Sequence, residues 1–460
     1  MQQQTRLRVG PRPSRLRPAR IAGAARRARS HGGALGLATR GHRTAAGAAL
    51  ALAGLAAPAL LGCGSSTSAD DDSALQTAPP QCASAKARAL GEVAEHIYHE
   101  LAGGRIAQPA VQRLASSPAL LAAVESHNQP AARAALRPLL RNQLVRVRVE
   151  VGGRSFLDYG SVAAVAPVTA PLRNAAGRTI GTVLASEQGA VEYAATIHTI
   201  TAAQVLVRAG SRTLGGSGAS GGSVRLAPAR LPNNGEIFYR GARYAVYSFP
   251  GAGFPALKLR TFVLARVPPA SACAVTAAET AADTVGAAAE RIYRDEQAGR
   301  TTRTVVRDFE RSRPFQEAVA SDNRDATEAA IVSFFKSTLH VVRVRATFGN
   351  RLVADLGGPH VLAPIGGKVR DAQGRLVGHF LLSVQDDLGY VILAQRFTGA
   401  QAFLRQSGRQ VAAYTSPGPP SIPDRGPVLY NGIRYQAYSF PAEAFPSGAL
   451  RVSLLIPPVP

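Results

Sequence analysis

A chain of 460 residues with 46% hydrophobic and 18% charged residues is too long for one ordinary domain and too apolar for wholesale disorder, a collagen-like rod or a coiled coil. Arginine supplies 49 of its 53 basic residues, and 11 of them lie in residues 1–62, which hold no Asp or Glu. The net charge of +24 therefore reflects an arginine bias and a basic leader, and no nucleic-acid partner is expected from it.

In chain order, the first feature is the uncharged run AAGAALALAGLAAPALLG from Ala45 to Gly62, directly after an Arg-rich stretch that ends at Arg43. This is the n-region and h-region order of a secretory signal, and about 18 residues rich in Ala and Gly is marginal for a membrane span of roughly 20. The run ends in Leu60-Leu61-Gly62-Cys63, which resembles the lipobox of bacterial lipoproteins. The resemblance implies a signal peptide over residues 1–62, acylation of Cys63 and attachment to the outer face of the cytoplasmic membrane. The n-region is longer than that pattern, so the translation start is expected downstream of Met1. Residues 63–84 are polar, contain Pro79-Pro80 and read as a flexible tether.

The remainder is a duplication. Residues 85–268 return as 275–460, across a linker at 269–274. Leu144-Val145-Arg146-Val147-Arg148 matches Val341-Val342-Arg343-Val344-Arg345, and Tyr244, Tyr247-Ser248-Phe249-Pro250 and Phe254-Pro255 match Tyr435, Tyr438-Ser439-Phe440-Pro441 and Phe445-Pro446. Two copies are too few for a solenoid. Each copy opens with helix periodicity, over Ala85–Leu101, Ala107–Glu125 and Ala131–Leu140 in the first and from Ala277–Gln297 in the second. Period-two runs follow, VRVRVEV-GG-RSFLDYG and VRVRATF-GN-RLVADLG, each a hairpin on a two-residue turn. A second hairpin leads into strands at Ile180–Ser186 and Val377–Ser383, a short helix follows, and the last strands fall at Leu259–Ala265 and Leu450–Ile456. Arg240-Gly241 and Asn431-Gly432 turn the final hairpins.

The expected fold class is α+β, two tandem domains with amino-terminal helices packed on an antiparallel sheet. That order resembles the extracytoplasmic PAS-like sensor domains called Cache or PDC domains. The resemblance implies a pocket for a small organic acid or amino acid on the sheet face away from the long helix; because the sequence offers no catalytic constellation, no enzyme activity and no cofactor are expected. Such domains usually feed a cytoplasmic output, and none precedes Pro460, so a membrane signalling partner is implied. The rival is a structural or interaction lipoprotein of the cell envelope whose duplicated cores are filled.

The ligand residues expected in copy two are Arg343 and Arg345 on the first strand, Asp386 and Asp387 at an acidic corner, and Tyr390 and Tyr435. Two guanidinium forks and two carboxylates suit a zwitterion. Copy one keeps Arg146, Arg148, Tyr193 and Tyr244 but lacks the acids, so it suits a plain carboxylate or nothing. The alternatives are a solvated strand face for the arginines and a helix N-cap for Asp386-Asp387. Asp158 and Asp355, each two residues before a Gly, share the Val face if the hairpins are regular; a bulge reverses this, and they read as turn residues. Once Cys63 is acylated, Cys82 and Cys273 remain, each just before the first helix of its copy, and are expected to form a disulfide in an oxidising compartment.

Other motifs give no chemistry. Gly218-Ala219-Ser220-Gly221-Gly222 has the spacing of a nucleophile elbow and Gly216 to Gly221 that of a dinucleotide loop, but neither sits between a strand and a helix, and copy two has SPGPPSIPDRG there. His96 and His99 with Glu92, Glu95 and Glu100 have metal-ligand spacing on a helix, yet copy two carries Arg291 and Arg294 at the His positions. No metal site is expected.

Overall fold

A computed structural model describes residues 80–104, 107–138, 144–160, 162–217, 230–274, 276–337, 341–414 and 417–458. The expected signal peptide, Cys63 and the Gly218–Gly222 motif lie outside the described residues. Copy one begins with the long helix α1 (Pro80–Ala102) and the short helices α2 (Ala107–Ala115), α3 (Pro118–Glu125) and α4 (Gln129–Leu136). Strands β1 (Arg146–Val151), β2 (Arg154–Tyr159), β3 (Ala164–Val165), β4 (Val168–Arg173), β5 (Thr179–Ser186) and β6 (Gln188–Gly189) lead to helix α5 (Ala190–Thr201). Strands β7 (Gln204–Ala209), β8 (Arg212–Ser217), β9 (Asn234–Tyr239), β10 (Ala242–Gly253) and β11 (Leu257–Arg266) complete it.

Copy two repeats this order element for element. Its helices are α6 (Ala277–Ala298), α7 (Arg300–Arg311), α8 (Arg313–Ala320) and α9 (Arg324–Ser337). Then come β12 (Arg343–Phe348), β13 (Arg351–Gly357), β14 (Val361–Leu362), β15 (Ile365–Arg370), β16 (Leu376–Ser383), β17 (Gln385–Asp386) and α10 (Asp387–Thr398). Strands β18 (Gln401–Gln406), β19 (Arg409–Ala413), β20 (Arg425–Tyr430), β21 (Ile433–Glu443) and β22 (Ala449–Ile456) close the chain's described part. The helix expected over Ala107–Glu125 is two helices, because Pro118 lacks the N–H to continue a helix and instead starts α3 behind the Ser117 cap. The same cap recurs at Ser312.

The class is α+β, with amino-terminal helices on antiparallel sheet in both copies. Each copy, however, divides most of its strands between two sheets where one closing sheet was expected. The first is four-stranded, in the order β2-β1-β5-β4 and again β13-β12-β16-β15; the second has β8-β7-β11-β10-β9, joined through β10 by β3 and β6, in copy one and β19-β18-β22-β21-β20 in copy two, where β14 and β17 form a separate two-stranded sheet. Each sheet has its own helical cover. The short helices α2 to α4 and α7 to α9 close separate apolar clusters against the four-stranded sheets, while the long helices cover the second sheets. Arg240-Gly241 and Asn431-Gly432 have positive φ at both residues, 51° and 74° in one and 48° and 77° in the other, as a type I′ hairpin turn requires.

Helix α1 buries Ala83, Ala87, Leu90, Val93, Ala94 and Ile97, and α6 buries Ala281, Val285, Ala288, Ala289 and Ile292, one face each at helical spacing. Both faces belong to a single core that also takes in α5, α10 and the second sheets. The copies are thus joined by a shared interior. Helices α1 and α6 start side by side, where Cys82 and Cys273 are disulfide-bonded with their Cα atoms 6.0 Å apart. At Gly91 and Gly286 an added Cβ would lie inside the rings of Tyr247 and Tyr438, so glycine lets the long helix and the sheet approach closely in both copies. A salt bridge from Arg396 on α10 to Glu100 on α1 adds a polar tie across the copies.

Candidate ligand-binding site

Alternation along β1 and β12 puts Val147, Val149, Val344 and Ala346 into the helix-covered cores or against them and leaves Arg146, Arg148, Arg343 and Arg345 on the other face. A bulge decides what they meet. The register slips between Val149 and Glu150 and again between Ala346 and Thr347, which places Asp158 opposite Arg148 and Asp355 opposite Arg345. Both aspartates therefore lie on the arginine face and not the Val face, and they are ion-pair partners where turn residues were expected. Arg146 donates Nε and Nη2 to the two Asp158 oxygens at 3.2 and 3.1 Å, and Arg148 reaches Asp158 Oδ2 at 3.1 and 2.6 Å. Glu150 lies 3.7 Å from Arg148. Burial pushes the Asp158 carboxyl up, but hydrogen bonds from Arg146 and Arg148 outweigh it and hold it below the usual range.

Copy two departs at one point. Arg343 keeps the bidentate pair, with Nε and Nη2 at 2.9 and 3.1 Å from Asp355, and its guanidinium covers the Phe445 ring at 4.9 Å. Thr347 replaces the acid Glu150, and no acceptor among the described residues pairs with half-buried Arg345. That guanidinium lines a concavity of about 460 Å³ on the outer sheet face, with Thr347, Lys368, His379 and Glu310. Register explains the grouping: Arg345 pairs Leu381, Thr347 pairs His379, and Lys368 also pairs His379. Glu310 is occupied at the edge, accepting the Lys368 backbone N–H at 3.2 Å. Copy one has Pro171 and Thr182 at the Lys368 and His379 positions, so this cationic lining belongs to copy two alone.

The other expected residues do not join Arg345. Asp386 accepts the Gly389 N–H at 2.7 Å and caps α10. Asp387 is buried beside it, and burial pushes its carboxyl up against the pull of His360. Tyr390 and Tyr193 are core residues whose hydroxyls donate to the Ala289 and Ala94 carbonyls at 3.0 and 3.1 Å, tying α10 to α6 and α5 to α1. Burial raises both phenols. Tyr435 and Tyr244 face the opposite side of their sheets, in separate clusters, and accept hydrogen bonds from Gln401 and Gln204 at 3.1 Å. Lys368 and His379 were missed by sequence reasoning. Comparing copies strand by strand, with Glu150 set against Thr347, was the signal that could have found them.

His99 sits 3.6 Å from Glu95 one turn away, and among the described residues no group of three His, Cys, Asp or Glu is arranged to hold a metal. No described helix is long and apolar enough to cross a membrane.

No protein-family model matches the chain, and no curated protein sequence does. Solved structures do. The periplasmic domain of Vibrio cholerae LuxQ is 8% identical, with 39% of this chain and 98% of that one covered at a TM-score of 0.26. The ligand-binding domain of the Pseudomonas fluorescens chemoreceptor CtaA, in complex with L-alanine, is 11% identical over 40% of this chain and 97% of that one, TM-score 0.27. The corresponding domain of the Pseudomonas aeruginosa PAO1 amino acid chemoreceptor PctB, with L-Arg, is 14% identical over 39% and 93%, TM-score 0.26.

Proposed function

We propose that the chain is an extracytoplasmic ligand-binding protein of the sensor type, held at the membrane by a lipid on Cys63 and acting through a membrane partner. The observation that carries the ligand reading is Arg345, which makes no ion pair among the described residues although Asp355 lies opposite it, and which is set in a concavity with Lys368 and His379. A guanidinium beside an ammonium recognises a carboxylate by charge-assisted hydrogen bonds. Because Asp386 and Asp387 serve α10, the groove suits a small organic acid better than a zwitterion. In copy one Arg146 and Arg148 already share Asp158, so it is the non-binding partner.

Calorimetry of the chain against mono- and dicarboxylic acids tests this. One of them should bind, and Arg345→Ala should weaken it by about tenfold or more, the size of one charge-assisted hydrogen bond. Equal binding by parent and variant, or no binding by any acid, would defeat the assignment. The structural-lipoprotein alternative has its own support, since Phe309, Phe315, Phe334 and Phe380 fill the space between the four-stranded sheet and its helices. It is favoured if no acid binds. The anchor is tested separately: expressed with its signal, the parent should enter the detergent phase and Cys63→Ser should remain aqueous. Detergent partition by both would remove the lipid.

A further inference from the structure

The seam between the copies holds a second cavity, of about 280 Å³, walled by the Cys82 end of α1 and by α6. Two half-buried cations line it, Lys86 from α1 and Arg291 from α6, and Arg266 stands at its rim. Neither Lys86 nor Arg291 has a hydrogen bond or ion pair among the described residues. The one acid in the lining, Asp283, is engaged by Arg425 at 2.8 Å. Like charges facing one another in a half-buried cavity repel, and desolvation makes each costlier to keep ionised. Burial lowers the Lys86 ammonium pKa, and the charge on Arg291 lowers it further.

We infer that this seam is a binding site for a small anion, a compact oxyanion or short dicarboxylate, that bridges Lys86 and Arg291. An anion there converts a repulsion between the copies into two attractions, so its binding clamps α1 to α6. The site is independent of the groove around Arg345, because no residue is common to the two linings.

Thermal melts of the full chain in phosphate, sulfate or succinate, each against chloride at equal ionic strength, test the inference. The melting temperature should rise in at least one of these anions, and calorimetry with that anion should give saturable binding that K86M/R291M weakens at least about tenfold. In chloride alone K86M/R291M should melt no lower than the parent, because it removes a repulsion. A response to phosphate and sulfate without succinate assigns an oxyanion, and the reverse a dicarboxylate. Three results overturn the inference: a parent indifferent to all three anions, an undiminished response in the double variant, or a double variant that melts below the parent in chloride. Measured in the Arg345→Ala background, where the groove is disabled, the K86M/R291M-sensitive part of the response should remain, which separates failure here from failure of the groove.

Discussion

A chain without the Cys82–Cys273 bond, C82A/C273A, should lose about 4–5 kcal/mol of stability. The two residues are 191 apart in sequence, so in the unfolded chain the bond closes a very long loop and removes a large share of its conformational freedom. In the native state the bond adds little new ordering, because α1 and α6 are already packed in the shared core. The loss is comparable to much of the net stability of an ordinary domain, about 5–15 kcal/mol. Alanine leaves only a small void at buried Cys82, so the effect should lie in the unfolded state and at the seam. Urea unfolding of the parent and of C82A/C273A, both followed by far-UV signal and by tyrosine fluorescence, measures it. A difference below about 1 kcal/mol would mean that the two copies stay together when unfolded, contrary to the loop-closure account.

The duplication was legible because both copies retain the same chemistry at turns, caps and close contacts. The hairpin at Asn431-Gly432 followed from two residues that accept positive φ. The two-sheet division was not legible, since pairing β1 with β5 depends on contacts distant in sequence, and period-two patterning does not say which strands share a sheet. The site failed on a smaller matter. One extra residue in the partner strand, Phe156 across from Val149/Glu150 and Val353 across from Ala346/Thr347, moves Asp158 and Asp355 to the arginine face, and with them the partners of Arg146, Arg148 and Arg343. Tyr193, Tyr390, Tyr244 and Tyr435 recur in both copies because each has a fixed hydrogen-bond partner in the packing. A recurring polar residue in a duplicated domain marks a shared structural need as readily as a shared ligand. Arg345 and Lys368 show the complementary rule, that function is sought where the copies differ.

The copies also differ inside the small sheets, and the difference predicts a compensating pair. In copy two Gly367 on β15 lies directly across from Phe380 on β16, while copy one has Ala170 across from Val183 at the same place. A Cβ at Gly367 would fall inside the Phe380 ring, so the large ring requires the missing side chain. Phe380 is 1% exposed and touches Phe309 and Phe315 at ring separations of 5.5 and 5.6 Å. Phe380→Val alone should therefore cost about 2–3 kcal/mol by leaving a void. Gly367→Ala alone should cost about 1–3 kcal/mol by overpacking. Together they recreate the pair of copy one, the new methyl occupying part of the space the ring vacates. The double variant should then be more stable than the sum of the single losses by about 1–2 kcal/mol, a coupling within the range for residues in contact. Urea midpoints of the parent, both single variants and the double variant close the cycle. Additivity within about 0.5 kcal/mol would show that the surrounding phenylalanines relax to fill either defect, and that the Gly367–Phe380 match is not a specific fit.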